Sequence, residues 1–140
     1  MRQVLIAAHG NMASSLKKSI NMIYGKVENL TCMDLYAEDG DNTDYDKQIQ
    51  QYFDANSNSS EIVICTDIQG GSVSQKFLPY CNRPGVHMIT GVNLPVILEM
   101  ITDEDTITRE RMEEIVNTGR QQLDYVNAEN FPSNEEDDFF

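Results

Sequence analysis

The chain is poor in three things that would each place it in a class. Among its 140 residues it has three cysteines, Cys32, Cys65 and Cys81, an odd number with no C-x-x-C spacing. That argues against a disulfide framework and against a thiolate metal site. Cys32 and Cys65 lie inside apolar runs and read as reduced core residues of a cytoplasmic protein. The chain also lacks a long apolar run. Val4–Ala8 is too short for the apolar segment of a signal peptide or for a membrane span, so neither a secreted nor a membrane protein is expected. Finally, it has few bases, with ten Lys and Arg against 23 Asp and Glu, a formal net charge of −13. The acid is concentrated at Asp34, Glu38, Asp39, Asp41, Asp44 and Asp46, and again at Glu129, Glu135, Glu136, Asp137 and Asp138. The remainder is close to balanced. Such a chain repels nucleic acid and anionic lipid, and a basic protein is an easier partner.

Several chemical signatures are missing as well. Two histidines without H-x-x-x-H spacing give no metal site, and no cofactor or metal is expected. The first loop, His9–Met12, lacks the G-x-x-x-x-G-K of a nucleotide phosphate loop. No G-x-S-x-G is present for a hydrolase nucleophile.

What is there alternates between strand and helix. Gln3–Ala8 is apolar almost without interruption, as in a strand covered on both faces. Met12, Leu16, Ile20 and Ile23 then repeat at helical spacing, with Asn11 as an N-cap and Gly25 as a stop. Asn29–Leu35 reads as a second strand, and Tyr45, Ile49, Tyr52 and Phe53 as the apolar face of a second helix. Glu61–Thr66 reads as a third strand. Asp67 closes it, Gln69-Gly70-Gly71-Ser72 opens a third helix, and Pro79 shortens that helix. Val86–Thr90 reads as a fourth strand, Pro95–Ile101 as a short helix begun by proline, and Thr108 as the start of a long helix carrying Met112, Ile115, Val116 and Leu123. Tyr125–Ala128 reads as a short edge strand. Residues 129–140 read as an acidic, disordered tail beyond a single domain spanning 1–128.

The order βαβαβαβα predicts an open α/β sandwich, doubly wound, with a four-stranded parallel sheet, for which the common strand order at this size is 2-1-3-4. In that order the direction reverses between the first and third strands, and ligands collect outside their carboxyl ends. His9 and Asp67 stand at those ends. A carboxylate on one imidazole nitrogen fixes the tautomer and sharpens the other as a nucleophile, which suits attack on phosphorus. Gly10 lets backbone N–H groups approach, and Gly70-Gly71-Ser72 offers a second helix start with a hydroxyl. An anion in the crevice is expected to meet both helix starts. The alternatives stay open here. Gly-Gly-Ser also makes an ordinary turn with a Ser N-cap, Asp67 also suits a turn, and Ser72, His9 and Asp67 supply the residue types of a hydrolytic triad. His87 reads as structural.

These residues resemble the enzyme IIA components of the mannose/fructose/sorbose class of the bacterial sugar phosphotransferase system. The likeness rests on Ala8-His9-Gly10 with Ala13 three residues on, on Asp67-Ile68-Gln69-Gly70-Gly71-Ser72, and on Gly91-Val92-Asn93-Leu94-Pro95, over roughly residues 1–125. The resemblance implies a phosphohistidine carrier in which His9 takes a phosphoryl group from the phosphocarrier protein HPr and passes it to the IIB component. It also implies that Asp67 orients the ring, and that Ser72 with the N–H groups of Gly71 and Val73 holds the phosphoryl oxygens. A homodimer that exchanges Tyr125–Ala128 as an antiparallel strand is implied too, and the membrane IIC and IID components are met only indirectly. Val73 departs from the proline frequent after Gly-Gly-Ser. No linker and IIB domain follow, so IIB is expected as a separate chain. The phosphocarrier subunit of dihydroxyacetone kinase, and a regulatory homologue in which phosphorylation is only a signal, are the alternatives.

Overall fold

Strand β1 (Arg2–His9) lies between two neighbours, which is why its apolar residues show no polar interruption. Its even positions Val4, Ile6 and Ala8 face one core, and Leu5 and Ala7 face the other. This follows from the two-residue period of a strand. The computed structural model describes residues 1–129, with the order β1, α1 (Met12–Ile23), β2 (Leu30–Leu35), α2 (Tyr45–Ala55), β3 (Glu61–Thr66), α3 (Ser72–Phe77), β4 (Val86–Ile89), α4 (Leu94–Thr102) and α5 (Arg109–Gln121). A short 3-10 turn, Leu78–Tyr80, carries Pro79 and follows α3. The sheet is parallel throughout, in order β2-β1-β3-β4, as the βαβ alternation predicts.

The two cores lie on opposite faces of this sheet. On one face, Ala13 and Ile20 of α1, Val96, Ile97 and Met100 of α4, and Ile115 of α5 pack against Val4, Ile6, Val63 and Cys65. On the other, Tyr45, Ile49 and Phe53 of α2 and Val73 and Phe77 of α3 pack against Leu5, Ala7, Ile62 and Ile64. Helices α4 and α5 come unusually close. A Cβ at Gly119 would stand 2.1 Å from Val96 Cγ2, so only glycine fits there. Asn93 ties the same junction, donating through Nδ2 to the Gly119 carbonyl at 2.8 Å and capping α4 by accepting from the Val96 N–H at 3.1 Å. The Gly-Val-Asn-Leu-Pro turn is therefore a structural clasp.

Several expectations change in detail. Leu123 lies beyond the end of α5 and is 88% exposed rather than on its buried face. Asn11 occupies the N-cap of α1 without a side-chain capping bond. Ser72 is the first helical residue of α3, with Gly71 at the cap, so the Ser N-cap reading fails. Cys65 is fully buried, and burial pushes its thiol up to about 12. Cys32, on the edge strand β2, is only half-buried, and all three cysteines are free. Among the described residues, 125–128 form no strand. The expected disordered tail lies outside the described residues, except for Glu129. Among the described residues, no helix is long and apolar enough to cross a membrane.

Candidate functional site

The reversal of strand order between β1 and β3 puts His9 and Asp67 side by side at the carboxyl ends of those strands. Asp67 Oδ2 accepts from the His9 backbone N–H at 2.9 Å and lies 2.8 Å from the His9 ring Nδ1. One carboxylate oxygen thus holds both the main chain and the ring of the same residue. Asp67 Oδ1 accepts from the Ile68 N–H at 3.0 Å. The Asp67 side chain is 6% exposed, whereas that of His9 is 40% exposed. Burial alone would raise the Asp67 pKa. The hydrogen bonds from the His9 backbone and ring and from backbone N–H outweigh it and hold the carboxyl below its ordinary value.

An ionised carboxylate at Nδ1 requires the proton to sit on that nitrogen, which leaves the Nε2 lone pair facing the crevice. Ser72 Oγ stands 3.3 Å from Nε2. Gly71 borders the ring as well, since a Cβ there would lie 3.6 Å from His9 Cε1. As the first two residues of α3, Ser72 and Val73 carry N–H groups that their own helix cannot satisfy. Below them, the buried hydroxyl of Ser74 joins Thr66 Oγ1 at 2.7 Å, the Ile68 carbonyl at 2.8 Å and Thr90 Oγ1 at 3.3 Å. This network fastens the loop that carries Asp67 and Ser72 to the ends of β3 and β4.

The first helix start differs from expectation. The Gly10 N–H donates to the Leu35 carbonyl at 2.7 Å, and the Gly71 N–H to the Ile68 carbonyl at 3.2 Å, so both are already paired with backbone. At the start of α1, the Ser14 N–H is taken by Asp34 Oδ1 at 2.9 Å. A carboxylate already sits where an anion was expected. Gly10 serves the tight turn instead, with φ of +61°.

Sequence reasoning missed Tyr36. It is the only described residue other than glycine in the left-handed region, with φ of +61°. Its N–H donates to Tyr45 Oη at 2.9 Å, and that hydroxyl in turn meets Asp41. The Tyr36 ring is exposed and stands 5.7 Å from the His9 ring, tilted by 41°. No local motif marks it, because the left-handed turn depends on Tyr45, nine residues away. His87 shares none of this. It is half-buried on the edge strand β4, and burial lowers its pKa more than the nearby Glu61 raises it, with Arg2 adding to the lowering.

A family model described as PTS system fructose IIA component matches residues 3–118. The chain belongs to this family. It is 31% identical over 105 residues to the fructose-specific EIIA component of the phosphotransferase system (PTS) of Bacillus subtilis strain 168, covering 73% of this chain and 70% of the relative. With the sorbose-specific EIIA component of Klebsiella pneumoniae it shares 28% identity over 110 residues, 77% of this chain and 78% of the other. The crystal structure of a PTS IIA protein associated with the fucose utilization operon of Streptococcus pneumoniae superposes with a TM-score of 0.77 at 27% identity, covering 89% of this chain and 92% of that one. As a mannose-class IIA component, the chain is a phosphotransferase component of a sugar system. His9 and Asp67 stand at the crevice of this IIA component, within the matched residues.

Proposed function

We propose that His9 accepts a phosphoryl group on Nε2 from HPr and passes it to a IIB component, in the cytoplasm and without a cofactor. The observation that carries this reading is the single Asp67 oxygen held by both Nδ1 and the main chain of His9, with Nε2 left towards Ser72. In the forward step the Nε2 lone pair forms a bond to phosphorus while the bond from phosphorus to the donor breaks, and that electron pair returns to the donor. The proton stays on Nδ1. The ring gains positive charge as the new bond forms, and the Asp67 carboxylate beside it stabilises that charge. The Ser72 hydroxyl and the N–H groups of Ser72 and Val73 are the donors for the phosphoryl oxygens. Transfer to IIB reverses the sequence on a new acceptor atom.

Incubation with phosphorylated HPr, followed by peptide mapping, tests this. An acid-labile, base-stable label on His9 is expected. A label on His87, or one that survives mild acid, overturns the reading.

One arrangement favours a second reading. Ser72, His9 and Asp67 are connected in the order of a hydrolytic triad, at 3.3 and 2.8 Å. The two readings part at Ser72→Ala. Phosphoryl transfer loses one donor and falls only severalfold, whereas a triad loses all ester hydrolysis. The family match favours phosphoryl transfer.

The same reading includes a homodimer. β4 is an edge of the sheet, and exposed edges are generally paired or covered. Residues 125–128, which lie outside the four strands of the sheet among the described residues, are proposed to add to the sheet of a second copy. Truncation after Leu123 is expected to weaken the dimer and truncation after Phe131 to leave it intact, as read by light scattering. Two dimeric truncations would remove this segment from the interface.

A further inference from the structure

Lys76 lies in α3 four residues beyond Ser72, so the two side chains share a helix face. Its side chain is 26% exposed, and its ammonium meets Asp46 Oδ1 at 3.3 Å, on a carboxylate whose side chain is 79% exposed. Tyr36, Asp46, Ser72, Gln75, Lys76 and Pro79 line one surface depression. Ser72 is the residue that reaches His9 Nε2, and Tyr36 stands against the His9 ring. Two of the residues that line the depression therefore border the His9 ring. The ammonium on its rim has a flexible four-carbon stem.

The present partner of that ammonium holds it weakly. A Lys–Asp pair whose carboxylate is largely in water contributes little to stability, because the solvent screens it. A phosphoryl group carries about two negative charges and three acceptor oxygens, far more than one exposed carboxylate offers.

We propose that Lys76 is a phosphoryl-binding residue, held by Asp46 while His9 is bare and turning to the phosphoryl oxygens once His9 is modified. This rests on the reading of His9 as the acceptor. It gives the crevice a mobile cation one turn along α3 from the fixed donors at its start, and it releases Asp46 into the acidic stretch when the phosphoryl group arrives.

The test is the phosphorylation equilibrium between HPr and the full chain, read by phosphorus NMR, for wild type, Lys76→Gln, Lys76→Arg, Asp46→Asn and the double variant Asp46→Asn with Lys76→Gln. Lys76→Gln is expected to shift the equilibrium about two- to fivefold towards phospho-HPr, and Lys76→Arg to restore it. Asp46→Asn is expected to shift it towards the chain, more strongly with Lys76 present than in the Lys76→Gln background. An unchanged equilibrium in Lys76→Gln, an equal loss in Lys76→Arg, or equal effects of Asp46→Asn in both backgrounds overturns the proposal. If wild type takes no label on His9, the phosphocarrier reading itself fails; normal labelling with an indifferent Lys76 defeats only this inference.

Discussion

The two strand-to-helix turns of the crevice look alike in sequence and differ in what they leave available. Both place glycine after a strand end, and both start a helix that faces the same crevice. At the β1–α1 turn the chain satisfies itself, with the Gly10 N–H on the Leu35 carbonyl and the Ser14 N–H on the Asp34 carboxylate. At the β3–α3 turn, among the described residues, no carboxylate occupies the helix start. The aspartate faces the histidine, and Ser72 and Val73 present their N–H groups. The first turn carries His9, the proposed nucleophile, and the second carries the groups around it. In the proposed reading an anion would therefore meet one helix start, that of α3.

The largest effect is expected at Asp67, where the two turns meet. Asp67→Asn retains an acceptor but loses the charge that stabilises the cationic ring. With a charge-assisted bond contributing about 1.5–3 kcal/mol, phosphoryl transfer should slow about ten- to a hundredfold. Rapid-quench transfer from phospho-HPr measures this, and a wild-type rate would make Asp67 a turn residue only. The same site predicts an acid dependence. The folded Asp67 has a depressed pKa, so it binds protons less readily than in the unfolded chain. Its contribution to stability is complete above a pH of about 4 and is lost as pH falls through the folded pKa. The stability gap between wild type and Asp67→Asn should therefore close in strong acid, as read by denaturant melts across pH.

A smaller effect separates the turns. Asp34→Ala removes the carboxylate from α1, and a lost cap of this kind costs about 1 kcal/mol, or a few degrees in Tm. Phosphoryl transfer should be unaffected, because the first turn does not hold the ligand. A large loss of transfer at unchanged fold would place both turns in the ligand site.

The smallest effect is expected away from the crevice. Burial depresses the His87 pKa, so folding favours its neutral form. Stability from this group is complete above the ordinary histidine pKa of 6.5 and declines as pH falls below it. His87→Gln should flatten the stability profile between about pH 7 and 5 and leave transfer unchanged. Glu61 and Arg2, the charged groups that face His87, remain in place in that variant.

Legibility in the sequence followed the range of the interaction. Strand β1 and the faces of α1 and α2 repeat at short, regular intervals, because burial on a periodic backbone selects apolar residues with the same period. The pairing of His9 with Asp67 was also legible, although 58 residues separate them. The 2-1-3-4 strand order common in doubly wound sheets places the ends of β1 and β3 together whatever the side chains are. Leu123 shows the limit of periodicity. It is at helical spacing from Val116, but the helix ends at Gln121 and leaves it in solvent.

The amino-acid sequence by itself determined the alternation of strands and helices and hence the parallel sheet, because these follow from local periodicity, and the common strand order for such a domain then placed His9 beside Asp67. The tertiary structure decided how hydrogen bonds are shared at the crevice. Asp34 reaches α1 from β2, Tyr45 holds the left-handed turn of Tyr36, Ser74 ties β3 to β4, and Asp46 reaches across to Lys76 on α3. Each contact joins residues from different elements. A donor or acceptor in a sequence carries no mark of its partner until the packing of those elements brings one atom to the other.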